Sequence, residues 1–407
     1  MDEAPDRLGQ VGLRDATFHL AGRAFRQAPP GTVGLEAEFF VLDRNDPQRI
    51  PSPDELRRLL ATRSRHTRLP HGSAVTFEPG GQLELSTPPV AGPLAAIALL
   101  DADLGVVDAV LDERGLALRG GGIESSRTPR RWVHGCRYDA MAAHFTRCGP
   151  PSADAGRVMM TATAALQVNL DAGADPAAMA QRWELTHLLG PVLAATFACS
   201  RVLSGQDTGA ASARLQAWQQ LDPCRTAPVP DMAPQCRPRE QWARYALAAS
   251  VILVPDADGG HAAPDRFSLA DWLLDPDLGG RPVTRADLDY HVTTLFPPVR
   301  PRGFLELRYL DAPPRSLWPV AAAVTAVLHD DPVAASAAAE ACRPVAGRWR
   351  QAARDGLADD GLAAASGECL QIARASLTRM SGAEDLLAAI DDFAAASVGR
   401  ATPVPAS

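Results

Sequence analysis

The chain has 407 residues, 46% hydrophobic and 22% charged, with a formal net charge of −8. That balance supplies a sizeable core, and because the basic residues are scattered it excludes the electrostatic footprint of a nucleic-acid binder. All 40 basic residues are arginine, since lysine is absent, so a P-loop lysine, a lysine Schiff base and a lysine general base are excluded together.

Any phosphate must therefore be handled by arginine and metal ions. The seven cysteines form no C-x-x-C pair, which points to reduced thiols in a cytoplasmic protein. The acidic start MDEAPDRLGQ lacks the apolar core of a signal peptide. No apolar run approaches 18 residues, so a membrane span is not expected.

Taken in chain order, DATFHLAGRAF predicts a short helix, and GLEAEFFVLD (34–43) a strand. SPDELRRLLATR carries a serine cap, a Pro-Asp-Glu first turn and helical apolar spacing. AVTFEPGGQLELSTPP predicts two strand pieces around a tight turn at Pro79–Gly81. LAAIALLDADLGVVDAVLDERG predicts a long helix ending at Gly115.

Residues 119–157 are rich in Gly and Arg and read as a loop that carries binding groups. TATAALQVNLDAG alternates as a strand, and Ala- and Leu-rich helices are expected over about 177–203. Residues 204–240 read as irregular, WARYALAASVILVP as helix first, and FLELRYL as the last strand. From 316 to about 400 the chain is Ala-rich and helical in period, and the tail 401–407 reads as disordered. The organisation expected is a core over 1–315 with a helical part over 316–400 packed on it.

Four strands share one design. Glu36 and Glu38 lie on one face of the first, Gln82, Glu84 and Ser86 on another, Gln167 and Asn169 on a third, and Glu306 and Arg308 on the last. The opposite faces are apolar, because side chains alternate with period two. Any one of these is as readily a half-exposed strand with a solvated polar face. Four together concentrate carboxylates that repel one another and take up protons unless cations neutralise them. Hard oxygen ligands suit Mg²⁺ or Mn²⁺, and such metals commonly serve phosphoryl transfer, for which Arg308 beside Glu306 is a natural partner.

GLEAEFF, FEPGGQLELSTPP, CRYDAM, TATAALQVNLD and DYHVTTLFPPVRPRGFLELRYLDA occur in the order seen in glutamate-cysteine ligases. The chain resembles that family from about residue 33 to 315, in the branch shared by plant and actinobacterial enzymes, and within that branch it most resembles the actinobacterial ligases that supply γ-glutamylcysteine for ergothioneine synthesis. The resemblance implies an α+β fold with a glutamine-synthetase-like core: an antiparallel sheet curved into a funnel, helices outside. It implies ATP-dependent joining of the γ-carboxylate of glutamate to the amine of cysteine through γ-glutamyl phosphate.

By motif, Glu36, Glu38, Glu78, Glu84 and Glu306 are the implied metal ligands, Gln167 and Asn169 the implied contacts to ATP or the metal shell, and Arg308 the group that neutralises the phosphoryl. The stretch SARLQAWQQLDPCRTAP resembles the family's substrate loop and nominates Arg214, Trp218 and Arg225. Arg137 and Tyr138 form a second set. For each of these arginines a surface salt bridge is as ready a reading. His291 and the cysteines read as structural. A related ligase with another amine acceptor shares all of these motifs, and the loop at 204–240 decides between acceptors.

Overall fold

The computed structural model describes residues 11–61, 69–232 and 237–400. One antiparallel sheet contains β1 (Thr32–Asp43), β2 (Ala74–Phe77), β3 (Leu83–Ser86), β4 (Val90–Ala91), β5 (Leu116–Arg119), β6 (Ala165–Leu170), β7 (Val299–Pro301) and β8 (Leu305–Asp311). The strand path is β7-β8-β6-β1-β3-β2, with β4 and β5 also paired to β1. The length of β1 explains its central place: it pairs β6 and β3 along its middle and β5 along its last four residues. The expected α+β class is the class observed.

Register then decides which side chains share a neighbourhood. Glu36 lies opposite Gln167 on one side and Ser86 on the other, and Glu38 lies opposite Glu84. Glu84 in turn faces Thr76, while Glu306 faces Asn169 and Arg300. Paired residues point to the same face of a sheet, so these polar groups form one continuous surface.

The opposite face is apolar throughout. Val33, Leu35, Ala37 and Phe39 are at most 2% exposed, and Leu83, Leu85, Val168 and Leu307 are fully buried. The helices that cover this face include α3 (Gly92–Asp112), α6 (Pro176–Thr196) and the helix Trp318–Asp330. Aligning two apolar surfaces this way removes both from water, the main favourable contribution to folding. The Ala-rich helices after residue 316 belong to this same core, with Ala321, Val324 and Leu328 buried against the sheet layer.

Local signals account for several helix starts. Ser52 caps α2 (Pro53–Leu60) by accepting from the Glu55 N–H at 3.2 Å. Asp175 caps α6 through the N–H groups of Ala177 and Ala178, with Pro176 in the first helical position. The helix expected to run to Gly115 stops at Asp112, and Gly115 at φ 69° turns the chain into β5. The N-terminal helix α1 spans Leu13–Ala24.

Residues 119–157 are not a plain loop. They contain α4 (Cys136–Arg147) and most of α5 (Ser152–Ala162). The glycines and prolines at 135 and 149–151 lie between these helices and at their starts, while Ala140, Met141, His144 and Phe145 form a buried stripe at helical spacing. Residues 204–240 likewise hold α7 (Ala213–Gln219), capped by Ser212. The tail 401–407 lies outside the described residues.

Candidate active site

The polar face of the sheet opens into a cavity of about 710 Å³. Two charge groups line it. One is acidic, from Glu36, Glu38, Glu78 and Glu84; the other is basic, from Arg300, Arg302 and Arg308. Helix α4 adds Arg137 and Tyr138 to the wall, and α7 adds Trp218.

The acidic group is built by β1, β3 and the turn before β3. Glu38 and Glu84 meet across the β1–β3 ladder, and Glu78 opens the turn that Gly81 closes by donating to the Glu78 carbonyl at 2.8 Å. The sequence Gly80-Gly81 is needed there: Gly81 sits at φ 86°, and a Cβ on Gly80 would lie 2.2 Å from the Thr161 carbonyl oxygen. One oxygen from each of Glu38, Glu78 and Glu84 lies within 4.8 Å of the others.

Their neutralisation is incomplete. Glu38 accepts from the Ala165 N–H at 2.9 Å and from the Gln167 amide at 3.3 Å, and Glu84 accepts from the Thr76 hydroxyl. Burial, followed by the charge of Glu78, pushes Glu38 up to about 8. Burial and Glu84 push Glu78 up to about 7. Burial, with Glu38 and Glu36, pushes Glu84 up to about 8. Three mutually repelling carboxylates with only oxygen donors are the donor set of a hard divalent cation, so the residues fit Mg²⁺ or Mn²⁺.

Glu306 has the opposite surroundings. It is 0% exposed, and both its oxygens are occupied. Arg300 holds it with two hydrogen bonds, Nε to Oε2 at 2.6 Å and Nη2 to Oε1 at 3.0 Å. Arg302 donates to Oε1 at 2.9 Å and Arg308 to Oε2 at 3.1 Å. Burial alone would raise this carboxyl, but Arg300, Arg308 and Arg302 hold it well below the usual range.

The metal role implied for Glu306 by motif would compete with these arginine contacts. The β7–β8 hairpin turns at Gly303 and sets Arg300 opposite Glu306, so a divalent ion there would have to displace a guanidinium. Three guanidiniums sharing one carboxylate leave surplus positive charge on the cavity wall. Arg308 also donates to Gln167 Oε1 at 2.7 Å, which links this group to β6.

The other nominated residues divide by position. Glu36, Gln167, Arg137, Tyr138 and Trp218 all line the cavity. Arg137 is anchored by Thr293, donating to its hydroxyl at 2.8 Å and its carbonyl at 2.7 Å. Trp218 places its ring 5.8 Å from the Arg308 guanidinium. Asn169 does not line the cavity; it donates to Glu36 at 2.9 Å and orients it.

Arg225 does not reach the cavity. It is fully buried and donates to the carbonyls of Thr294, at 2.8 Å, and Ser250, and its Nε lies 3.4 Å from Asp222, so it ties three interior segments together. Arg214 is also buried, behind Arg308, and donates to the Arg308 carbonyl at 2.7 Å. His291 donates to the Ala246 carbonyl and is pushed down to about 3 by burial and Arg225, which keeps it neutral.

Sequence reasoning missed Arg300 and Arg302. Their signal was present in VRPRGFLELR, where Gly303 at the centre of a tight hairpin puts Arg300 in register with Glu306.

The model of the glutamate-cysteine ligase family 2 matches residues 32–398. The glutamate–cysteine ligase EgtA of Mycolicibacterium smegmatis is 46% identical over 370 residues, covering 89% of this chain and 84% of that protein. The protein of the same name from Mycobacterium tuberculosis H37Rv is 43% identical over 379 residues, 91% of this chain and 85% of its own length. A chloroplastic glutamate–cysteine ligase of Arabidopsis thaliana is 29% identical over 320 residues, 74% of this chain and 59% of that protein. The carboxylate strands, the arginine hairpin and the helices behind them all fall inside the matched span, and the chain belongs to glutamate-cysteine ligase family 2.

Proposed function

We propose that the chain is an ATP-dependent ligase that makes γ-glutamylcysteine. An oxygen of the glutamate γ-carboxylate attacks the terminal phosphorus of ATP, and the bond from that phosphorus to ADP breaks. The amine of cysteine then attacks the γ-carbonyl carbon, phosphate leaves, and the amine gives up its proton as the amide forms. The observation that carries this reading is a single cavity holding both an acidic triad and a surplus of guanidinium groups.

Glu38, Glu78 and Glu84 would hold Mg²⁺, with Mn²⁺ able to replace it, and Glu36 adds a carboxylate beside them. A metal held there would supply Lewis-acid stabilisation of the negative charge that builds during phosphoryl transfer. Arg308 donates to the transferred phosphoryl, while Arg300 and Arg302 face the nucleotide phosphates from the same hairpin. Gln167, bonded to both Glu38 and Arg308, spaces the two charge groups. Arg137 is the cation best placed for the glutamate α-carboxylate, because it lines the wall and its partner Thr293 is neutral.

The six described cysteines are free thiols. Among the described residues no helix is long and apolar enough to cross a membrane.

Glutamate labelled with ¹⁸O in its γ-carboxylate tests the mechanism. The label is expected in the released phosphate, and hydroxylamine added before cysteine is expected to trap a γ-hydroxamate. Phosphate free of label would overturn the acyl-phosphate route. A panel of amines, read by ADP release, tests the acceptor, and turnover faster with another amine than with cysteine would reassign it.

A further inference from the structure

Arg308 sits at an irregularity. The β6–β8 register shifts between Leu307 and Leu310, so the ladder that fixes neighbouring residues does not continue through position 308. Its N–H donates to the Pro298 carbonyl at 2.9 Å. Its own carbonyl accepts from a side chain, Nη2 of Arg214, at 2.7 Å. A guanidinium thus takes the place that a strand N–H would fill.

Arg214 is only 2% exposed, and its Nη1 makes no hydrogen bond among the described residues but lies 3.7 Å from Asp311 Oδ1. Asp311, also 2% exposed, is aimed by three donors. Its Oδ2 accepts from the Cys199 N–H at 2.9 Å and the Ser200 hydroxyl at 2.7 Å, and its Oδ1 accepts from the Ser212 hydroxyl at 2.8 Å. The chain leaves room for this: a Cβ on Gly122 would stand 2.8 Å from both Asp311 and Ser200.

Ser212 caps the helix that carries Arg214 and Trp218, and Trp218 is the ring beneath the Arg308 guanidinium. One buried carboxylate is therefore connected to the Arg308 backbone through Arg214 and to its side-chain neighbour Trp218 through the cap of α7. Buried charge pairs add little net stability compared with apolar packing, so stability alone is a poor reason for this one.

We infer that Asp311 and Arg214 are positioning residues that act as one unit to set Arg308 for phosphoryl transfer. The inference rests on the ligase reading above. Asp311→Asn keeps the shape and removes the charge. It is expected to lower kcat about tenfold to a hundredfold, with KM for glutamate and for ATP changing less than about twofold. Mn²⁺ binding to the substrate-free protein is expected to stay unchanged, since the acidic triad is untouched.

Arg214→Lys keeps a charge beside Asp311, but one ammonium cannot reach both Asp311 and the Arg308 carbonyl, so a similar loss is expected. Because the two act together, the double variant is expected to be no worse than the poorer single. Additive losses, a KM that rises in step with the fall in kcat, or a kcat within about twofold of wild type in folded Asp311→Asn would each overturn the inference.

If Asp311→Asn does not fold, Ser200→Ala removes one of the three donors and is expected to cost about threefold in kcat, measured at a temperature where the variant is fully folded; an unchanged kcat overturns the unit. Failure of the ligase reading is separately visible as a wild-type chain that releases no ADP in response to glutamate. In that case a crystal structure of Asp311→Asn decides, with Arg308 displaced from Gln167 expected and an unmoved Arg308 overturning.

Discussion

Three clustered glutamates and a fourth, Glu306, along the same polar surface behave in opposite ways. Glu38, Glu78 and Glu84 are held tightly together with few donors, and burial plus mutual repulsion raise all three. Glu306 is buried more completely than any of them, yet three arginines keep it ionised. Burial is common to both, so the difference lies in the partners. The triad carboxylates accept no arginine hydrogen bond among the described residues, whereas Glu306 accepts from three arginines.

Replacing Glu38 by Gln removes one charge from the triad at nearly constant volume, and attacks the comparison at its acidic end. Turnover is expected to fall on the order of a thousandfold, with weaker Mn²⁺ binding to the folded protein. Steady-state ADP release and titration with Mn²⁺ check it; full activity at ordinary Mg²⁺ would remove Glu38 from the metal set.

Arg308→Lys tests the basic end by keeping the charge and losing the planar fork. A fall in kcat of roughly tenfold to a thousandfold is expected, with a smaller change in glutamate KM, because the contact strengthens as charge builds on the phosphoryl. A variant with intact kcat and a raised KM would move Arg308 to substrate binding.

Glu306→Gln leaves three guanidiniums around a neutral amide. Breaking a buried ion pair from one side is costly, and a loss of about 3 kcal/mol is expected, discounted for the half-exposed Arg302. Urea unfolding measures it. A loss under about 1 kcal/mol would mean the arginines do not depend on this carboxylate.

The smallest effect is on pH dependence. The triad carboxyls hold protons up to about 7 to 8 in the folded protein, against 4.5 for the free side chain. Between those values the folded state binds more protons than the unfolded state, so stability of the metal-free protein falls as pH rises. Glu306 has the reverse sign: it contributes above 4.5 and loses that contribution as pH falls below it. The buried His187, His291 and His329, pushed down to about 4, 3 and 4, act below 6.5. The informative window therefore lies between about pH 7 and pH 9. There the rise in Tm produced by Mg²⁺ is expected to grow with pH in wild type, and to grow less in Glu38→Gln.

The sequence by itself determined the strands and the facing of their side chains. Alternation in GLEAEFF, QLELS, ALQVNL and FLELRYL requires one apolar and one polar face whatever the pairing, and each of these stretches is a strand with that division. Composition excluded lysine chemistry outright. What alternation cannot give is register, and register alone decided that Glu38 faces Glu84 while Glu306 faces Arg300. One strand design thus yields an acid that binds protons tightly and an acid that does not.

The arginines show the same limit. Arg137, Arg214, Arg225 and Arg308 look alike in a one-dimensional chain, but two reach the cavity wall and two are buried behind it as supports. The direction of a long side chain depends on which segments pack around its stem, and those segments lie tens to hundreds of residues away, as with Thr293 for Arg137 and Thr294 for Arg225. Local sequence fixes the type of charge available. Only the tertiary structure, by bringing distant donors and acceptors within about 3 Å, decides which charges are neutralised and which are left to act on a ligand.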